Sequence, residues 1–387
     1  MRQTLSRESY EKIQAKVREG MRQAGVDGVI VESDFDVAYL TGFFHSSHER
    51  PCAIVITQDA THMLVPALEA DNAARQKAHA EFVVYDEFPG VEDAFSILLR
   101  KIAPKGVWAY SSETPVGRIE KFRKFAPDAD WIMKDIVLDA RLTKLPEELA
   151  LHREAARISD LMLHSGIDLI REALRKGGEL PSETELAGHV RAVGVGTMYR
   201  EHEDVVVGKY MAGGLVYTGA NSAYPHGLPS GRRLMLGDTC ILSLGCAVGG
   251  RFAESERTFV LGEPTKEQET YYEVIRKSQD VGVAALLAGT PCEDANRICL
   301  DVIKEAGMGQ YIRHREGHGI GIWLHEAPWI SDGDKTPLTP GMVVSSEPGL
   351  YVPGHAGYRI SDTVLITEAG PERLTTFPRD LVSCTVQ

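Results

Sequence analysis

A chain of 387 residues exceeds what one ordinary core covers, so two domains are expected, each burying apolar residues of its own. Its 43% hydrophobic and 25% charged residues are the composition of a globular protein. The formal net charge of -13 argues against nucleic acid and anionic membranes as partners, since both would be repelled, and leaves a small-molecule substrate, cationic or zwitterionic.

The start, MRQTLSRESYEKIQAK, is polar, and no apolar run approaches the roughly 18 residues of a spanning helix, so the chain is expected in the cytoplasm. Six cysteines without a CxxC pair read as buried free thiols. Residues 6–24 repeat apolar positions at helical spacing and stop at Gly25, after which DGVIVE reads as a strand. Short apolar runs at 53–56, 63–65, 82–84 and 107–110 alternate with polar helical stretches, the order of an α/β domain spanning residues 1–142. Pro146, followed by Glu147 and Glu148, opens a long amphipathic helix to about residue 175 and with it a second domain, 143–387. Helices near 183–193, 266–287 and 292–306 interleave there with glycine-punctuated β runs, an α+β order.

The stretch 237–262, GDTCILSLGCAVGGRFAESERTFVLG, reads as a hairpin with a Gly-rich connection. Strand periodicity puts Glu254 and Glu256 on one face, where two carboxylates leading into an apolar run require a cation, an arginine or a retained proton.

Other chemistry-capable residues fall into AYPH ending at His226, GHGIGIWLHEAP over 317–328, SSEPGLYVP around Glu347 and GYRISD over 357–362. GHGIG followed by HEAP, then Glu-Pro-Gly and Arg-Ile-x-Asp, resembles the creatinase, aminopeptidase P and prolidase family. YLTGF at 39–43, with an arginine soon after, carries the resemblance into the first half. It implies an N-terminal creatinase-like α/β domain followed by a C-terminal pita-bread catalytic domain, α+β as a whole.

Metallopeptidases of that family hold two divalent metals with Asp, Asp, His, Glu and Glu. The resemblance maps these onto Ser243, Glu254, His318, Glu347 and Ser361. Two carboxylates have become neutral hydroxyls, which are poor ligands for a hard cation, so a dinuclear site is not expected. One ion such as Mn or Zn on Glu254, His318 and Glu347 is the alternative to no metal at all.

Metal-free creatinase offers a closer pattern, since its corresponding strand also reads LSL and its second arm also ends Glu-Arg-Thr. That resemblance implies His226 as catalytic histidine and Glu256 and Glu347 as the glutamates that grip a cationic substrate group. It also implies a homodimer in which Arg50 reaches the partner's site to bind a carboxylate. His318 and His325 are carried over as site residues, and Phe252, Trp329 and His48 stand where creatinase has a tyrosine, an arginine and a phenylalanine. The substrate is therefore expected to differ from creatine. The leading expectation is a metal-independent C–N hydrolase of a small amide, amidine or urea-like compound, with ectoine the first candidate. An Xaa-Pro dipeptidase or aminopeptidase P-like enzyme with a depleted metal site is the alternative, and a non-catalytic binding protein on the same fold the third. Asp362 is read as orienting the sheet or His318, and Arg313-His314-Arg315 as a solvated strand end.

Overall fold

The computed structural model describes residues 1–46, 49–86 and 92–387; His48 lies outside them. The chain divides into two compact units. One comprises Thr4–Arg141 with Val206–Lys209, the other Met1–Gln3, Leu142–Val205 and Tyr210–Gln387.

In the first unit Ser6 caps α1 (Arg7–Ala24) by accepting from the Ser9 amide, and Gly25 closes it at φ +67°. That left-handed terminus is why the apolar period stops where it does. Then follow β1 (Gly28–Val31), α2 (Asp34–Thr41), β2 (Ala53–Thr57), β3 (Thr61–Pro66), α3 (Ala67–Arg75), β4 (Glu81–Tyr85), α4 (Ala94–Ile102), β5 (Gly106–Tyr110), α5 (Val116–Phe125), β6 (Ala129–Met133) and α6 (Ile136–Arg141). They build a six-stranded sheet in the order β4-β3-β2-β1-β5-β6, antiparallel through β1, β2 and β3 and parallel elsewhere. Its core gathers Ile30, Val55, Leu64, Phe95, Leu98, Trp108 and Phe122.

The second unit opens with α7 (Pro146–Lys176), which begins on Pro146 and ends at Gly177 in the left-handed conformation. Proline lacks only an N–H that the first turn leaves unpaired anyway, so it starts the helix without loss. Ile158, Met162, Leu163 and Ile170 on its buried face are fully removed from solvent, each contributing about 1.5–3 kcal/mol. Next come α8 (Glu183–Glu201), β7 (Ala212–Thr218), β8 (Thr239–Val248), β9 (Arg251–Leu261), α9 (Lys266–Ala285), α10 (Cys292–Glu305), β10 (Gly317–Gly319), β11 (Glu326–Ile330), β12 (Val343–Ser346), β13 (Gly349–Val352), β14 (Ala356–Arg359), β15 (Ser361–Thr367), β16 (Gly370–Arg373) and β17 (Thr385–Val386). The path of the large sheet is β11-β10-β12-β15-β9-β8-β7, with β16 on β15 and β17 on β9; β13 and β14 pair separately. Helix α7 packs across β8 and β9.

The β8–β9 hairpin turns through Gly249 and Gly250 alone, with Val248 opposite Arg251. Both glycines have positive φ, +56° and +74°, as a two-residue turn matching strand twist requires. Its register and that of β15 put Ser243, Glu256 and Ser361 side by side across three strands.

Candidate active site

Period-two alternation sends Glu254 and Glu256 to the same side of β9. There they line a cleft of about 500 Å³ with Tyr210, Ser243, Phe252, His226, His314, Arg315, Leu324, His325, Glu347 and Arg359. The two acids meet different partners. Glu256 is gripped by Arg359 at the end of β14, with Nε 2.5 Å from Oε2 and Nη2 3.3 Å from Oε1. The Ser243 hydroxyl donates to the same carboxylate. Arg359 is itself saturated: Nη2 donates to the Tyr217 hydroxyl (2.6 Å), and Nη1 to Tyr351 (3.2 Å) and the Pro225 carbonyl (3.4 Å). Burial pushes the Glu256 carboxyl upward, while Arg359 and the Ser243 hydroxyl favour its ionised form.

Glu254 belongs to the other half of the centre. It accepts from Ser361 at 2.8 Å and stands 3.9 Å from His318 Nε2, which is 3.2 Å from Glu347 Oε1. His318 is fully buried, and its Nδ1 lies 3.0 Å from the Gly319 carbonyl, which requires a proton on that nitrogen. Burial raises Glu254 to about 8, and the neighbouring Glu347 adds to the rise. Glu347 lies well below the usual carboxylate range, because His318 at 3.2 Å and the other positive groups around it outweigh burial. The same acids lift His318 to about 8 against the opposing effect of burial. Burial and the charge on His318 hold His325 down at about 4, its ring centroid 4.0 Å away. Under Glu347, whose amide donates to the Glu316 carbonyl, the fully buried Glu316 carboxyl bonds Cys299 Sγ and Ser346 Oγ, each at 2.5 Å. Burial raises it to about 8.

Of the residues expected to act on substrate, His226, Glu256, Glu347, His325 and Phe252 line the cleft, with the His226 ring exposed. His318 does not; it lies behind Glu347, with Nε2 3.2 Å from that carboxylate. Trp329 also falls outside the lining and stacks beneath Arg315, its ring centroid 4.7 Å from the guanidinium carbon. Arg50 belongs to the first unit, where it pairs with Glu49. The cation expected for Glu256 from substrate is supplied by Arg359. Asp362 does not meet His318; it accepts from Arg257 of the neighbouring strand β9 at 2.7 Å and from Gln279 at 2.8 Å, which fits the expectation that it orients the sheet. The stretch expected as a solvated strand end is split, for Arg313 is exposed while His314 and Arg315 form cleft wall. Tyr351, facing His314 at 2.8 Å, carries no sequence signal of its place at the site.

Residues 150–368 match the model of the metallopeptidase family M24, and residues 14–141 match the creatinase/prolidase N-terminal domain. The chain belongs to the M24 family. An Xaa-Pro dipeptidase of Pyrococcus horikoshii is 30% identical over 373 residues, 96% of this chain and 99% of that protein. The crystal structure of the prolidase from Pyrococcus horikoshii superposes with a TM-score of 0.82 at 27% identity, covering 96% and 99% of the two chains. An Xaa-Pro dipeptidase from Bacillus anthracis gives 0.82 at 25% identity over 96% and 99%. This M24 chain is thus a hydrolase with a creatinase-type N-terminal domain and a pita-bread catalytic domain. These relatives favour the peptidase alternative over ectoine hydrolysis, and the expected lack of a metal draws no support from a family of metallopeptidases.

The residues of this M24 chain do not fit two divalent ions. Ser243 and Ser361 spend their hydroxyls on Glu256 and Glu254, and a guanidinium already neutralises Glu256. They do fit one. Ligand atoms of Glu254, His318 and His325 lie within 4.8 Å of one another, and His318 Nε2 is buried without a hydrogen-bond partner among the described residues. An imidazole tethered to a carbonyl through Nδ1 and flanked by the carboxylates of Glu254 and Glu347 is a donor set suited to one ion.

Proposed function

We propose that the chain hydrolyses the C–N bond of a compact, dipeptide-sized amide in the cytoplasm, at a centre that takes no more than one divalent ion. One observation carries the reading: Glu254, His318 and Glu347 stand together at the base of the cleft while Ser243, Ser361 and Arg359 occupy the rest of the centre. Glu254, His318 and His325, with Glu347 beside them, would hold the ion, which when bound would supply a Lewis acid for water and carbonyl. His226, on the open side of the cleft, takes a proton from water as its oxygen bonds to the carbonyl carbon, and returns it to the nitrogen as the C–N bond breaks. Six buried free cysteines suit a reducing compartment.

A second reading, metal-free hydrolysis of a cyclic amidine such as ectoine, is favoured by the loss of two carboxylates at Ser243 and Ser361. The resemblance to creatinase supports a homodimer in which Arg50 serves the partner's cleft. Elemental analysis of protein purified without chelator, with assays on glycyl-L-proline and ectoine before and after chelation, separates the readings. One ion per chain and dipeptide cleavage lost on chelation are expected. Two tightly held ions would refute the centre described, and chelator-resistant ectoine turnover would establish the second reading instead.

A further inference from the structure

The two arginines of the cleft are in opposite states. Arg359 is spent on Glu256, Tyr217, Tyr351 and Pro225. Arg315 is held but not spent. Its Nε donates to the Gly317 carbonyl at 2.9 Å and its plane rests over Trp329, yet among the described residues it forms no ion pair and its Nη groups donate to none. Trp329 is itself fixed, its amide donating to Asp334 at 2.8 Å and its backbone paired with that of His318. It is 38% exposed, which puts the stacked pair on the solvent side of the buried acids.

We infer that Arg315, steadied by Trp329, is a specificity-determining residue of this cleft that grips a substrate carboxylate. A solvated surface arginine has no need of a tether at Nε and an aromatic floor. Those two contacts leave the planar Nη pair as the open edge, which matches a carboxylate with two parallel bonds. The floor of the cleft carries the opposite charge in Glu347, which repels an anion placed there. A dipolar substrate is thereby oriented, with its carboxylate at Arg315 and its scissile amide toward His226 and the acids. The residue that sequence comparison with creatinase identifies as a lost arginine, Trp329, becomes the support for an arginine supplied from another strand end.

The inference deepens the amide-hydrolase reading by assigning the residue that reads the substrate's carboxylate, and it is tested by binding, which does not depend on turnover. Calorimetry of the full chain with N-acetyl-L-proline and its primary amide should show the carboxylate binding about 10- to 100-fold more tightly, the range for charge-assisted hydrogen bonds. Arg315→Met should abolish that preference while amide affinity stays within about twofold. Arg315→Lys should keep part of it, and Trp329→Leu should lower it with Arg315 intact. Circular dichroism confirms that each variant is folded. In turnover of glycyl-L-proline the Arg315 change should raise KM with little effect on kcat. Equal binding of the two probes by the unaltered protein, or an undiminished preference in folded Arg315→Met, overturns the inference. Inorganic phosphate competing where the carboxylate does not also overturns it. Selective carboxylate binding without cleavage of any amide would instead leave the inference standing and refute the hydrolytic reading.

Discussion

Glu256→Gln removes the charge that Arg359 opposes while keeping the shape of the side chain. Both partners are nearly inaccessible, 7% and 4% exposed in their side chains, with Nε and Oε2 2.5 Å apart. Charge centres about 4 Å apart attract by about 4 kcal/mol at an effective dielectric of about 20. Desolvation offsets much of that, so the net value of the intact pair is small; the cost arises when one charge is left alone, about 3–5 kcal/mol. Arg359 would retain Tyr217, Tyr351 and Pro225 as acceptors, which points to the lower end, about 3 kcal/mol. For a unit of this size that lowers Tm by about 6–12 °C. Urea unfolding followed by circular dichroism should show Glu256→Gln and Arg359→Met each destabilised. The double variant should be less destabilised than their sum, by about 2 kcal/mol or more. If Glu256→Gln matches the unaltered protein to within about 0.5 kcal/mol, Glu256 does not depend on Arg359, and its charge is again available for a substrate cation.

His226→Ala should lower kcat by about 100-fold while ligand affinity by calorimetry persists; equal losses in both would assign the ring to binding. The carboxyl of Glu316, raised by burial to about 8, contributes stability that is complete below about 4.5 and is lost as pH rises through about 8. Glu316→Gln, which mimics the protonated acid, should flatten the decline in Tm measured between about pH 4.5 and 8, the window those values span, and an unchanged slope would show that Glu316 does not titrate there. Mixing inactive Arg50→Ala with inactive His226→Ala chains should restore activity if Arg50 serves a partner's cleft. No recovery after proven subunit exchange would end that proposal.

Much of the frame is legible in the amino-acid sequence. The cap at Ser6, the stop at Gly25, Pro146 at the head of α7 and the glycine pair of the β8–β9 turn are local signals, each acting within a few residues of itself. So is the common face of Glu254 and Glu256, which follows from strand alternation alone. Buried acids so placed must meet a cation, an arginine or a proton, and two of those three are identified. An arginine holds Glu256, and burial favours a retained proton on Glu254.

Which group answers which acid is not legible there, because the partners are distant in the chain. Arg359 lies 103 residues beyond Glu256 and arrives through β14. His318 is expected at the substrate on the strength of its motif, but its burial behind Glu347 depends on how β10 enters the sheet. Arg315 shows the limit most clearly. Beside Arg313 and His314 it reads as a polar strand end, and only the return of β11 brings Trp329 beneath it and turns it from a solvated charge into cleft wall. By itself the sequence determined the hairpin and the chemical need of its paired acids, since periodicity and turn chemistry are short-range. Tertiary structure alone decided the pairing of charges in the cleft, because the cost of burying a charge is set by neighbours that long-range strand order brings within hydrogen-bonding distance.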